Sequence, residues 1–349
     1  MPSLQTIRDG IAQLPNRTPL VIALVGGTTG IGTYVAKALA TTFAAHGDKL
    51  RVYVIGRRPD RAEEVVAFGR ATSPGSDWRF IQAHDLSLMS DVDRVCAEIT
   101  QQEESDPFAG GKPRLDVLYM SQALSPMQAS AQTKEGLDTQ MSLLYYSRIR
   151  TIQRLTPLLL ASPEPSHVIS IYAGSVEGAH TPDALPIGTP SPERYGITAV
   201  RNHSVFMKTF MFEELAARHA GKIAFVHVYP GLVDGPTFYS DVNPLWFRVL
   251  WRVLKSLVSW YMTSPETCGT VMVFLATGRF PAKGNGVKGA DVAFSTQRER
   301  GGGAYAVGMR GDENKKVSYE NVRTGDTGSK VWEHTIEVLD GIDKKQSGA

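Results

Sequence analysis

The chain has 349 residues, 42% of them hydrophobic, and a net charge of +2 at neutral pH. That length suits one large α/β domain or two small ones, and so much apolar material excludes disorder as the main state. So slight a charge gives no reason to expect nucleic acid as a partner. The two cysteines, Cys96 and Cys268, stand far apart without metal-ligand neighbours. They read as small buried residues in a reducing compartment, with no disulfide framework. Residues 1–19 hold no secretory apolar segment, and no uncharged apolar run of about 18 residues occurs. The nearest, 244–262, is interrupted by Arg248, Arg252 and Lys255. A cytoplasmic protein without a membrane span is expected.

In chain order, residues 20–25 form a short apolar run that ends in glycine and reads as a buried parallel strand. Helix-forming composition follows over 34–45. A second strand is predicted at 50–55, a helix at 59–69 and a third strand at 78–83. A helix at 91–102 has Ser90 as its N-cap. A fourth strand at 115–120 precedes a long helix at 137–160, then a fifth strand at 167–172. A second long helix is predicted at 198–219 and a sixth strand at 222–229. A helix at 265–277 and a strand at 303–307 close the pattern. Strands alternating with helices imply right-handed parallel crossovers. The fold class is therefore a doubly wound α/β Rossmann sheet, three layers (α/β/α), in a single domain over 18–310. Residues 1–17 are an N-terminal extension. Residues 311–349 are a polar tail with one docked helix near 331–339.

The segment Gly26-Gly27-Thr28-Thr29-Gly30-Ile31-Gly32 lies between the first strand and its helix. There Gly26 permits a tight turn, Gly30 lets backbone approach a pyrophosphate, and Gly32 lets helix and strand pack closely. The helix N-terminus offers N–H groups and positive dipole to phosphates. After the second strand the chain reads Gly56-Arg57-Arg58, where NAD-binding folds carry an acid. Guanidinium groups at Arg57 and Arg58 suit a 2′-phosphate, so NADP(H) is the expected cofactor. Asp85-Leu86 would sit at the adenine edge.

These residues resemble the short-chain dehydrogenase/reductase family. Gly26, Gly30 and Gly32 have its glycine spacing, Asp85 matches its adenine-side acid, and Pro230-Gly231 matches its loop beside the nicotinamide. The likeness spans 18–280. Tyr145-Tyr146-Ser147-Arg148, Arg201-Asn202-His203 and Val331-Trp332-Glu333-His334-Thr335 resemble a filamentous-fungal group of that family from secondary-metabolite pathways. The resemblance implies cofactor contacts at Gly26, Thr28, Thr29, Gly30, Ile31, Gly32, Arg57, Arg58, Asp85, Leu86, Ser121, Gln122, Ala123, Pro230, Gly231 and Val233.

The family's chemistry uses Ser, Tyr and Lys, with an Asn in support. Ser175 matches the Ser, which hydrogen-bonds the reacting carbonyl. The Tyr position falls on Arg201, the Lys position on Val205 and the Asn position on Ser142. Ser121-Gln122-Ala123 stands where the family has Asn-Ala-Gly. Some other group must then handle the proton. The candidates are His203, which titrates near neutrality, Tyr172 and Tyr195, with Arg201 to stabilise an oxyanion. The plainer readings are a structural His203, a loop-anchoring Tyr195, and a surface charge at Lys208, about 60° off the expected face.

A Pro-rich stretch between Ser175 and Arg201 should pass over the site mouth. Leu245, Trp246, Val249, Leu250, Val253, Leu254 and Leu257 recur at helical spacing, with Trp251, Trp260 and Tyr261 nearby. The resemblance makes 235–262 a substrate lid, and its aromatic content suits a bulky apolar molecule such as a polyketide or terpenoid. A basic amphipathic helix lying on a membrane surface is the competing reading. The function expected is an NADP(H)-dependent oxidoreductase with a non-standard site. A non-redox isomerase, dehydratase or cyclase, and a catalytically inactive binding protein, remain alternatives. Pairing of two copies through the long helices is the expected form of any homo-oligomer.

Overall fold

The computed structural model describes residues 2–124, 131–174, 180–181, 184–239, 241, 243–285, 291–314, 319–323 and 325–346. Its strands are β1 (Leu20–Val25), β2 (Leu50–Gly56), β3 (Asp77–Gln82), β4 (Val117–Met120), β5 (Ser166–Ile171), β6 (Ile223–Val228) and β7 (Ala304–Val307). They form one parallel sheet in the order β3-β2-β1-β4-β5-β6-β7. β1, β2, β5 and β6 are buried almost throughout because helices cover both faces.

The helices are α1 (Leu4–Ala12), α2 (Gly30–Thr42), α3 (Pro59–Thr72), α4 (Met89–Ser105), α5 (Thr139–Met141), α6 (Ser147–Leu160), α7 (Ile197–Arg218), α8 (Pro236–Tyr239), α9 (Leu245–Val258), α10 (Pro265–Phe274) and α11 (Thr327–Gln346). One core packs α2, α3 and α10, with Ile7 and Ile11 of α1, against one sheet face. The other core packs α4, α6, α7 and α11 against the opposite face. The fold is a single-domain, three-layer α/β/α sandwich.

Strand order reverses between β1 and β4. Val25 is level with Ile55 on one side and with Met120 on the other. Helices leave β1 and β4 toward opposite faces, and the crevice between their carboxyl ends is where open α/β sheets take ligands.

The structure adds detail to the sequence reading and corrects it in places: α4 begins at Met89 with Leu88 as its N-cap, so Ser90 lies inside the helix rather than capping it. The N-terminal extension is a helix, capped by Ser3, whose Oγ accepts from the Thr6 N–H at 3.0 Å. The helix predicted to begin at 34 begins at Gly30, directly in the glycine loop. The long helix over 137–160 is broken into α5, a π turn at Ser142–Tyr146 and α6. The tail helix runs far beyond 331–339 and lies across both long helices. Arg150 Nη2 meets Asp343 at 2.5 Å, Tyr145 and Thr335 share a 2.7 Å hydrogen bond, and Arg218 sits 3.7 Å over the Trp332 ring. The faces expected to pair two copies are therefore covered from within the chain.

Candidate active site

A cleft of about 590 Å³ opens at the carboxyl ends of β1, β4, β5 and β6. Its first wall is the glycine loop. Gly26 has φ +84°, and a Cβ there would stand 2.8 Å from the Gln122 backbone N. A Cβ on Gly32 would stand 2.2 Å from the Gly26 carbonyl oxygen, so only glycine lets α2 start against β1. Gly30, at φ +53°, meets nothing within 4 Å. Thr29 precedes α2 without a side-chain cap. The first-turn N–H groups are thus left for an anionic ligand.

Thr28, Thr29, Ile31, Arg57, Asp85 and Leu86 line the same wall. Arg57 takes part in no ion pair among the described residues and borders the cleft, whereas Arg58 is turned aside onto Asp60 at 2.6 Å. Arg58 is therefore no part of the lining, against expectation, because the neighbouring carboxylate captures its fork. Asp85 Oδ1 accepts from the Ser87 N–H and hydroxyl, at 2.9 and 2.6 Å. Ser121, Gln122 and Ala123, after β4, form the floor. Ser121 N donates to the Val25 carbonyl at 2.8 Å. Both polar atoms of the Gln122 side chain are buried without a partner among the described residues. A buried unsatisfied amide beside an open cleft marks a place for a ligand's polar groups. Pro230, Gly231 and Val233 complete the far wall.

Tyr172, Ala173, Ile197, Arg201 and Tyr229 gather at the other end. Tyr172 follows β5, and its phenol makes no hydrogen bond among the described residues. Burial pushes its pKa up, while the Arg201 and Arg148 guanidiniums pull it down. Arg148 ends the Tyr145-Tyr146-Ser147-Arg148 stretch. It is wholly buried on α6, just past the π turn. It donates to the Gln122 carbonyl at 2.7 Å, Ser170 Oγ at 2.8 Å, the Ile171 carbonyl at 3.1 Å and the Leu143 carbonyl at 3.3 Å. No carboxylate among the described residues pairs with it. Burial lowers its pKa to about 9, so it keeps its charge at neutral pH. The signal was legible: an arginine among apolar neighbours with no acid three or four residues away.

Other candidates are drawn elsewhere. Ser142 gives its hydroxyl to the Ser87 carbonyl at 2.6 Å and is fully buried. His203 Nδ1 meets the Gly188 carbonyl at 2.9 Å, and burial lowers its pKa. Tyr195 donates to Asp138 Oδ2 at 2.9 Å. None of the three lines the cleft, because each is committed to tying a loop down. Ser175 lies outside the described residues. Lys208 is fully buried rather than a surface charge, with its ammonium 5.6 Å from the Tyr172 ring centroid. The described part of the Pro-rich loop is tied to α7 and α11. Gly188 N donates to Met207 Sδ at 3.3 Å, and His334 faces Gly188. Among the described residues there is no metal-binding cluster. Cys96 and Cys268 are free and buried.

The comparisons with known proteins agree with this layout. The chain is 51% identical over 354 residues to short-chain dehydrogenase/reductase SAT2 of Stachybotrys chartarum, covering 99% of each. The chain belongs to the short-chain dehydrogenase/reductase family. It is also 31% identical to oxidoreductase AN1596 of Emericella nidulans, over 97% of this chain and 98% of that protein. It is 30% identical to oxidoreductase andH of Emericella variicolor, over 98% of each. No family model matches it. Among solved structures, the Pseudomonas aeruginosa RhlG/NADP active-site complex superposes with a TM-score of 0.53 at 20% identity, over 77% of this chain and 92% of that one. Levodione reductase superposes with a TM-score of 0.54 at 16% identity, over 74% and 91%. In this short-chain dehydrogenase/reductase-like enzyme the glycine loop, Gln122, Tyr172 and Arg201 border one cleft.

Proposed function

We propose that this enzyme is an NADP(H)-dependent oxidoreductase interconverting a carbonyl and a hydroxyl on a bulky hydrophobic secondary metabolite, with Tyr172 handling the proton. The observation that carries the reading is the Tyr172 phenol at the cleft beside the Arg201 and Arg148 guanidiniums, which offset part of the rise that burial gives its pKa. In the family a lysine ammonium does that work; here two guanidiniums, which never give up their own protons near neutrality, do it.

The glycine loop and the α2 N-terminus would hold the pyrophosphate, Arg57 the 2′-phosphate, and Asp85 and Leu86 the adenosine edge. The Gln122 amide and the wall of Pro230, Gly231 and Val233 would border the nicotinamide half. Bound there, the nicotinamide supplies a hydride donor or acceptor. Tyr172 gives a proton to the oxygen of a ketone substrate, or takes one from an alcohol. Arg201 stabilises negative charge developing on that oxygen. Ser175 keeps the carbonyl-binding role that the resemblance implies. The RhlG neighbour's NADP complex and the relatives named oxidoreductases support the reading. Two free, buried cysteines accord with a reducing, cytoplasmic setting.

Metabolites that accumulate in a strain lacking the protein would name the substrate. With that substrate, Tyr172→Phe should cut turnover by roughly 10²–10⁴-fold while leaving NADPH affinity unchanged. Full activity in Tyr172→Phe would sink the assignment. A second reading, a non-redox isomerase or cyclase, is favoured by Arg201 and Val205 standing at the family's Tyr and Lys positions. Turnover that persists after complete removal of cofactor would establish it.

A further inference from the structure

α9 is mounted inside out. Its charged side is the docked side: Lys255 Nζ meets Asp234 Oδ2 at 2.5 Å, and Arg248 Nη1 meets Asp241 Oδ1 at 2.5 Å. Trp251, the buried residue of the helix, stacks on Phe238 with ring centroids 4.1 Å apart and gives its indole N–H to Asp234. The opposite arc is apolar and bare. Leu245 and Leu257 are each 68% exposed, Val253 63% and Trp246 61%, with Val249 and Leu250 at 51%. A helix on a water-facing surface presents the reverse arrangement. So wide an apolar face is maintained where something apolar lies beyond it.

The geometry points to an anionic lipid surface as the occupant, with α9 lying flat in the headgroup region and its outer arc dipped toward the acyl chains. Three features favour lipid over a protein surface. From residue 243 to residue 265 the sequence holds three cations and no acid. Arg252 is exposed at the border of the apolar arc and in no ion pair among the described residues, placed for an anionic headgroup. Trp246 stands at the start of the helix, and Trp260, 84% exposed, and Tyr261 stand just past its end, where amphipathic rings settle at a membrane boundary.

A second copy fits less well. Antiparallel pairing of the bare arcs across a twofold at the helix centre would set the two Arg252 side chains, at the arc's border, level with each other, like charge beside like charge. The helix has 14 residues, about 21 Å long, so it can lie in an interface but not cross one. Among the described residues no helix is long and apolar enough to cross. The inner side of α9 meets the cleft through Phe238 and Asp234, which line it. Docking would therefore set the cleft mouth beside the lipid phase, where hydrophobic molecules partition. The docking does not depend on the proposed chemistry.

The test uses the full chain and vesicles of phosphatidylcholine with or without phosphatidylserine. Flotation should carry the protein with the mixed vesicles and less of it with phosphatidylcholine alone. Lipids brominated on the acyl chains should quench tryptophan emission. Val253→Glu and Leu250→Glu, both at exposed positions, should each weaken vesicle binding by roughly tenfold or more. Their circular dichroism and nucleotide binding should match the parent protein. Arg252→Glu should remove the preference for phosphatidylserine. No flotation with mixed vesicles would overturn the proposal. So would a protein dimer that the same substitutions dissociate, because it would identify a second copy as the occupant.

Discussion

Tyr172 sits where two opposing effects meet. Burial favours the neutral phenol, and the Arg201 and Arg148 guanidiniums favour the phenolate. Arg148 is held by three carbonyls and a hydroxyl rather than by a carboxylate, so its charge is not neutralised at source. Arg148→Met should therefore act twice. It should lower stability by about 1–3 kcal/mol, since buried carbonyls lose their donor. It should also move the alkaline limb of the pH–rate profile upward, because Tyr172 loses a neighbouring cation. Loss of stability with an unchanged pH profile would make Arg148 a purely structural residue. The cysteines behave oppositely. Burial pushes the Cys268 thiol up to about 12 and the Cys96 thiol higher still. Neither should react with a thiol reagent at pH 8 in the folded protein, and modification at the rate of the denatured chain would contradict their placement. At this scale the loop glycines were legible because the backbone at Gly26 and Gly32 leaves no room for a side chain. Ser142, Tyr195 and His203 were not, because a polar side chain's partner comes from a distant segment.

Two buried histidines on neighbouring strands tie the sheet to pH. His167 of β5, whose Nε2 meets the Phe280 carbonyl at 3.1 Å, is lowered by burial to about 4. His227 of β6 is lowered to about 3, by burial and then by the Lys208 ammonium. In the unfolded chain both would titrate near 6.5. As pH falls below about 6.5 the unfolded state takes up protons that the folded state refuses, so stability drops. Each group contributes about 1.4 kcal/mol per pH unit, down to about pH 4 for His167 and about pH 3 for His227. Urea melts between pH 7 and 5 should show the slope, and His227→Asn should reduce it. A second element-scale expectation concerns β2. Arg51 meets the fully buried Glu103 at 2.8 Å and also pairs with Asp77 and Asp106. Glu103→Ala should cost about 1–3 kcal/mol, because Arg51 and the Tyr53 hydroxyl both lose their fully buried partner. A loss under about 1 kcal/mol would mean that Asp77 and Asp106 suffice. The strands were readable as short apolar runs alternating with helical stretches. The π turn and the inverted mounting of α9 were not, since periodicity reports an apolar arc but not which way it faces.

At the scale of the molecule, α11 occupies the face of α6 and α7 that was expected to join two copies. The Arg150–Asp343 pair and the Tyr145–Thr335 and Tyr146–His334 hydrogen bonds hold it there. The full chain should therefore run as a monomer in light scattering at micromolar concentration, without lipid. A dimer that survives disruption of α9 would mean α11 swings aside. The tail's composition suggested one docked helix, but its target could not be read, because its partners lie far back in the sequence.

The central claim is that the wall built by Gly26–Gly32 and Arg57 is a working NADP(H) site. Titration of the purified protein with NADPH and with NADH, followed by nicotinamide fluorescence, tests it most directly. The account predicts saturable binding with NADPH preferred by roughly tenfold or more, and a preference that Arg57→Ala abolishes. Binding of neither nucleotide, or equal affinity for both in the parent protein, would contradict it.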